Sequence, residues 1–575
     1  MFKLFKFLKP YWLMIIGVIT FTFLNAFTQL YLPNLMGEIV DNGIIQGDIS
    51  YILSHGGKML IVALLGAISM ILASYLSSKS AMAYGRDLRQ HVFTKVEGYS
   101  LDEFSRIGTS SLITRTTNDV NQMQQVTMMS LRMMVRAPLM FIGGLIMAIS
   151  KNRELSNVFL VSSPILILTI IIVGKKGFPY FKIVQERIDR VNQVLREELT
   201  GIRVIRAFNR TDYEEDRFNN ANRDLTKIYL KVVRLMSVMM PLLNIILNFT
   251  IVAVIWYGSK LIDIGNLEIG DLMAYIQYVM QIMFSLIMVS VMFIMIPRAM
   301  ASANRINEVL DMEIGIIDRE ETRDATGLRG VLEFRDVSFK YPGAENPVLC
   351  NISFTAKPGE TTAIIGGTGS GKSTVISLIP RFYDVSKGAI LLDGVDIRDL
   401  SQEDLRRKIG IVSQDTMLFT GSVSDNIRFG KEDATDEEVV HAAEIAQAKE
   451  FIVDLEDGFD SSVAQGGTNL SGGQKQRLSI ARALVRRPEI YVFDDSFSAL
   501  DFKTDKKLRK ALEEETHNST IIIVAQRVST IMEADSILVL DNGKIVGQGT
   551  HRELLESCKV YREIVQSQLS KEEII

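Results

Sequence analysis

Six apolar runs, each near the roughly 20 residues that a helix needs to cross a bilayer, fill the first half of this chain. They are Leu13 to Leu35, Leu60 to Leu76, Pro138 to Ile149 with the Met-rich turns before it, Val158 to Val173, Met236 to Tyr257 and Leu272 to Ile296. Hydrocarbon offers backbone N–H and C=O groups no partner, so such runs cross as helices that satisfy themselves. Charge placement orients them: Lys79, Arg86, Arg89, Lys95, Arg106 and Arg115 lie between the second and third runs, while the stretch from Gly37 to Gly57 has no Lys or Arg. By the positive-inside rule both termini are cytoplasmic. At 575 residues and 47% hydrophobic content, the chain exceeds one core and requires at least two domains.

The connections between the runs are unequal. Segments Lys79 to Arg136 and Lys175 to Lys231 are long, polar and rich in helix formers, and read as helices continuing into the cytoplasm. Ser150 to Glu154 and Asp263 to Glu268, on the opposite side, are short enough for simple turns. The N-terminus carries Lys3, Lys6 and Lys9 among Phe and Leu, and the run after it lacks a small-residue cleavage site, so it is expected to stay attached. A formal charge of −4 gives no basic excess for nucleic acid. Two cysteines, Cys350 and Cys558, both in the second half, do not make a disulfide framework.

Polar and polarizable residues within the spans leave alternatives open. Met280, Met283, Met288, Met292 and Met295, with Phe284 and Phe293, would suit an adaptable pocket for small amphipathic molecules, or would face lipid or a neighbouring helix. Arg132 and Arg136, on the cytoplasmic approach to the third run and one turn apart on one face, would meet an anionic lipid or substrate, or snorkel to headgroups. Glu38 and Asp41, ending the first span, read either as part of an external gate or as a solvated helix terminus.

After a charged stretch from Asp311 to Arg329, short apolar strands alternate with helical segments, the pattern of an α/β domain. The strand Ala363-Ile364-Ile365 runs into Gly366-Gly367-Thr368-Gly369-Ser370-Gly371-Lys372-Ser373-Thr374 and then a helical pattern: GxxxxGKS in the context a P-loop requires. Its glycines let backbone N–H groups converge on phosphate oxygens, Lys372 reaches the terminal phosphates, and the Ser373 hydroxyl can ligate Mg²⁺. A second apolar strand, Ile490 to Phe493, ends at Asp494-Asp495, placing carboxylates where α/β sheets bind ligands. Asp494 is the expected partner of the Mg²⁺ shell. These readings divide the chain into a six-helix transmembrane domain over 1–310, a linker over 311–329 and an α/β P-loop NTPase domain over 330–575.

Between the two motifs lies Leu470-Ser471-Gly472-Gly473-Gln474. With this LSGGQ the chain resembles the ATP-binding cassette (ABC) transporters, whose signature it is, and the six-span-plus-cassette layout resembles an exporter half-transporter. The resemblance implies that Tyr341 stacks on adenine, that Gln414 is the Q-loop glutamine near Mg²⁺, and that Ser498-Ala499-Leu500-Asp501 is the D-loop. It further implies a dimer in which ATP lies between the P-loop of one cassette and the signature of the other. Short coupling helices are then expected near Ser100 to Arg106 and Asn209 to Arg217.

Three positions depart from the family pattern. Asp495 stands where the family has Glu as base or water-positioner, Gln526 where it has the switch histidine, and Gln465 where exporters usually carry Glu. Loss of a methylene shortens reach by roughly 1.5 Å, and an amide cannot titrate. The combination resembles the degenerate-site subunits of heterodimeric bacterial multidrug exporters, which implies a different half-transporter as partner. A homodimer with a working Asp495, and a membrane protein merely gated by ATP, are the competing expectations.

Overall fold

The computed structural model describes residues 2–568. The chain divides into two compact units, Met1–Glu97 with Thr109–Met312, and Gly98–Gly108 with Glu313–Ile575.

The first unit is built of long rods: α1 (Trp12–Glu38), α2 (Ile49–Glu97), α4 (Thr109–Thr114) continuing through a π turn (Arg115–Asp119) into α5 (Val120–Lys151), α6 (Asn157–Ala207), α7 (Thr211–Asp263) and α8 (Ile269–Asp311). The short α3 (Leu101–Ile107) belongs to the other unit. Among the described residues, six helical stretches are long and apolar enough to cross a membrane. At 1.5 Å per residue, the 51 residues of α6 extend about 77 Å, more than twice the roughly 30 Å hydrocarbon thickness, so the rods run on well beyond the bilayer.

Packing in this unit centres on α8. Ala274, Tyr275, Tyr278, Val279, Ile282 and Met283 recur at helical spacing and are buried against Leu30, Leu155, Leu166, Leu243 and Val254. The Tyr278 hydroxyl donates to Leu30 O at 3.0 Å and that of Tyr275 to Ser156 Oγ at 3.2 Å, so neither phenol is buried unpaired. At the outer ends, Asp41 Oδ1 accepts from Gly270 N at 2.6 Å and Lys151 pairs with Asp271 at 2.6 Å. Asp41, in the π turn (Ile39–Ile44) that continues α1, thus ties the start of α8 to that end of the rod, and the solvated-terminus reading does not hold for it. At the opposite end the buried Asp119 accepts from Ser302 Oγ at 2.8 Å and Arg305 Nε at 2.7 Å. Side chains of Met292, Phe293 and Met295 lie outside the described residues.

A short helix forms at one of the two places where coupling helices are expected. Ser100 caps α3 through a reciprocal pair with Glu103, and Glu103 Oε1 also accepts from Gly315 N at 3.1 Å. The segment from Asn209 forms no separate helix: α6 ends at Ala207, Asn209 turns the chain through a left-handed φ of 51°, and α7 begins at Thr211. A single left-handed residue reverses the chain there, so residues 211–217 become the first turns of α7.

The second unit holds strands β1 (Leu332–Phe339), β2 (Leu349–Ala356), β3 (Thr361–Gly366), β4 (Lys387–Leu392), β5 (Val395–Asp396), β6 (Ile409–Val412), β7 (Gly421–Ser422), β8 (Ser462–Val463), β9 (Ile490–Asp494), β10 (Thr520–Val524), β11 (Ser536–Asp541) and β12 (Lys544–Gly549). An antiparallel sheet has the order β2-β1-β4-β5; a six-stranded sheet has the order β12-β11-β3-β10-β9-β6, parallel except for β12. Alternate residues of its central strands face two cores. Ile364, Val492, Ile522 and Val524 pack with the antiparallel sheet, and Ala363, Ile365, Tyr491, Phe493 and Ile523 with the helical side. Covered on both faces, these strands read as continuous apolar runs. The segment after Met312 is fastened to this unit: Gln402 N donates to Asp318, Arg319 pairs with Asp399, and Arg323 bridges Leu400.

Candidate nucleotide site

Strand order brings the motifs together. In register, Val524 of β10 lies beside Ile364 of β3 and Asp494 of β9, and Val412 of β6 lies beside Phe493. The C-terminal ends of four adjacent strands therefore deliver the P-loop, Gln526, Asp494-Asp495 and Gln414 to one sheet edge, where parallel α/β sheets bind ligands.

The P-loop backbone leaves no room for side chains at two points. A Cβ on Gly366 would lie 2.2 Å from Leu540 O and 2.7 Å from Ser370 Oγ, and one on Gly371, at φ 104°, would lie 2.6 Å from Leu349 Cδ2. Glycine is required at both. Gly371 caps the helix α9 (Lys372–Leu378), and the loop residues Gly367, Thr368 and Gly369 stay exposed, so their backbone can be approached. Lys372 Nζ donates to Gly366 O at 2.9 Å and Gly367 O at 2.8 Å, holding its cation over the loop. Burial lowers the Lys372 pKa, and the charges of Asp494 and Asp495 oppose that shift.

Across the edge, burial foremost and then the neighbouring Asp495 charge raise the Asp494 carboxyl above the ordinary range, with Lys372 pulling the other way. Asp495 is 9% exposed, has φ 47°, and its Oδ2 accepts from Gln414 Nε2 at 3.4 Å. Sequence reasoning missed what holds this turn. The fully buried Ser496 hydroxyl lies 3.0 Å from Val412 O and 3.2 Å from Asp494 O, joining the ends of β6 and β9. Serine after two aspartates carries no signal of such a role.

Tyr341 stands beside the P-loop helix: its hydroxyl shares a hydrogen bond with Thr374 Oγ1 at 3.1 Å, and its ring meets Tyr383 edge-on at 5.3 Å. Gln526 is an exposed side chain after β10, and its carbonyl accepts from Gln568 Nε2 at 2.7 Å. The signature lies elsewhere. Ser471 caps the helix Gly472–Leu484 through a reciprocal pair with Gln474, and Gly473 comes against Ala499 O of the segment expected to be the D-loop. Among the described residues no hydrogen bond joins the signature to the P-loop. Gln465 is exposed in the turn before the signature.

A loop of approachable amides with a cation above it, facing two carboxylates and a glutamine, fits a nucleotide phosphate chain and a hard divalent cation such as Mg²⁺. Cys350 and Cys558 are free thiols.

Residues 14–286 match the ABC transporter transmembrane region and residues 349–498 the ABC transporter family. The chain is 42% identical over 565 residues to an uncharacterized ABC transporter ATP-binding protein of Mycobacterium tuberculosis, covering 98% of this chain and 97% of that one. It is 40% identical over 570 residues to the uncharacterized ABC transporter ATP-binding protein YfiB of Bacillus subtilis, covering 99% of each. An ATP-dependent lipid A-core flippase of Desulfotalea psychrophila is 36% identical over 471 residues, 82% of each chain. A bacterial Atm1-family ABC exporter solved with ATP bound shares the fold with a TM-score of 0.81 at 25% identity, covering 97% of this chain and 98% of that one.

Proposed function

This chain belongs to the ABC transporter family as an exporter half-transporter, and from that premise we propose that it is the degenerate-site subunit of a heterodimer exporting amphipathic compounds. ABC exporters are ATP-driven, act in a membrane and assemble as dimers of half-transporters. With six membrane-crossing helices and this fold, the chain is a multi-pass membrane protein whose cassette faces the cytoplasm.

The heterodimer reading rests on Asp495. Its carboxylate sits at the end of β9 with Gln414 3.4 Å away, one methylene shorter than the Glu of the family pattern. A displacement of that order costs about a hundredfold in rate when it falls on a base or water-positioner. Gln526 removes the titratable group from the end of β10 as well. Ser471, Gly472 and Gly473 keep the full signature, so this chain completes the partner's site while its own holds ATP and turns it over slowly.

In that site the amides of Gly367 to Lys372 and the Lys372 cation hold the phosphates, with Tyr341 against the adenine. Ser373, Gln414 and Asp494 would hold Mg²⁺, which would supply a charge to offset that of the phosphate oxygens. Asp495 and Gln526 position the attacking water weakly.

Similarity to a lipid A-core flippase supports lipids, beside lipophilic drugs, as cargo of the exporter. Co-expression with candidate half-transporters tests the assembly. A tagged chain should recover a one-to-one complex with a partner carrying Glu and His at the two positions; recovery of this chain alone as a stable, rapidly hydrolysing dimer would point to a homodimer with a working Asp495.

A further inference from the structure

Within the first unit, two cavities of about 250 and 450 Å³ meet at Arg136 and Met288. The smaller is walled by α1, α2, α5 and α8 and includes Arg132, Met128 and Met133; the larger includes Gln29, Gln281 and Phe284. None of the residues lining either cavity carries a carboxylate. Arg136 donates to Gln29 Oε1 at 2.9 Å, a neutral acceptor, and Arg132 has no hydrogen bond or ion pair among the described residues. Two guanidinium groups one helical turn apart thus face the same space, with no carboxylate among the described residues that line it.

Arg136 lies 15 residues before Lys151, the outer end of α5, about 22 Å along a core of roughly 30 Å, and its guanidinium is held by Gln29 of α1 within the helix packing; Arg132, one turn further from that end, lines the same cavity. A charged side chain at that depth is costly unless it is paired or faces a polar cavity, and arginine's planar fork matches carboxylate, sulfate and phosphate oxygens two at a time. The methionines around it supply an apolar, deformable wall for an attached chain.

Resting on the exporter reading, we propose that Arg132 and Arg136 form the head-group site for an anionic amphiphile, a single acidic head on an apolar body, bound between α1, α2, α5 and α8. The head bridges both guanidinium groups, and the body lies along Met128, Met133, Met288 and Phe284.

Binding without nucleotide tests this. Full-length protein in phosphatidylcholine nanodiscs is titrated with dansylaminoundecanoate and with its uncharged methyl ester. The acid should bind about ten- to a hundredfold more tightly, the range of a charge-assisted hydrogen bond. R132Q/R136Q should erase the preference, weakening the acid far more than the ester, and R132K/R136K, which keeps the charge without the planar fork, should keep only part of it. Equal affinity for acid and ester in the unmodified protein, or a preference that survives R132Q/R136Q, would overturn the proposal. Displacement of the probe by doping the nanodisc with phosphatidylglycerol assigns the head to a lipid, and its absence to a free amphiphile; both carry the proposal. Because no ATP is present, loss of the acid preference leaves the exporter reading standing, and a failure of export leaves this site standing.

Discussion

Replacing Ser496 with alanine probes the joint between two motifs that lie some 80 residues apart in sequence. The hydroxyl is fully buried and has one proton for two carbonyls, Val412 O at 3.0 Å and Asp494 O at 3.2 Å. Alanine fits the same space, so the change removes the hydrogen bond without overpacking. A net loss of about 1 kcal/mol for the bond, rising to about 2 kcal/mol if a buried carbonyl goes unpaired, is expected. Opening of β6 away from β9 should become easier by that amount, which speeds amide exchange along these strands by about five- to thirtyfold. Hydrogen exchange followed by mass spectrometry on the full chain reads this directly, and peptides covering 409–414 and 490–496 should move together. Gln414 and Asp495 flank the joint, so nucleotide hydrolysis should fall with the same variant. Unchanged exchange in both peptides would refute the joint; a change confined to one of them would show that the hydroxyl serves one strand only.

Gly371→Ala puts a Cβ at φ 104° and 2.6 Å from Leu349 Cδ2, costing at least about 1–2 kcal/mol of backbone strain, and should weaken binding of a fluorescent ATP analogue at least about tenfold. For Asp494 the sign follows from burial. Its folded-state pKa lies above the ordinary 3.8, so the stabilisation from its proton is fully present below that value and is lost as pH rises through the raised one. Asp494→Asn should flatten that part of the nucleotide-free stability curve; in the unmodified chain, Mg²⁺-dependent nucleotide binding should weaken as pH falls through the same window. Gln568 brackets the Gln526 turn, donating to Gln526 O at 2.7 Å and accepting from Val528 N at 2.8 Å. Gln568→Ala should speed exchange of the Val528 amide several-fold and leave that of β3 unchanged.

Legibility in the sequence follows how local each cause is. Six apolar runs and the P-loop could be read because each is governed by contiguous chemistry: hydrocarbon demands an unbroken apolar helix, and a phosphate cradle demands glycines at fixed spacing. The signature could be read for the same reason, since Ser471 and Gln474 cap one helix within four residues. Long-range pairings could not. Asp41 could be read as part of an external gate or as a solvated helix end, but not as the partner of Gly270 N, which lies 229 positions away and donates to it. Ser496 and Gln568 act on strands and loops that composition does not associate with them. The expected second coupling helix failed because one left-handed residue, Asn209, lets α7 begin at once. Arg132 and Arg136 were visible as a pair on one face, but that no described residue lining their cavities is a carboxylate emerges only when four helices are assembled.

The degenerate-site account is tested most directly by ATP turnover of the purified full chain, alone and with its partner, before and after Asp495→Glu and Gln526→His are made together. The account predicts turnover well below about 1 s⁻¹ for the chain alone, restoration by the partner, and added hydrolysis in the complex when both changes are present. Turnover around or above that rate by the unmodified chain alone would contradict it and make Asp495 the working carboxylate of a homodimer.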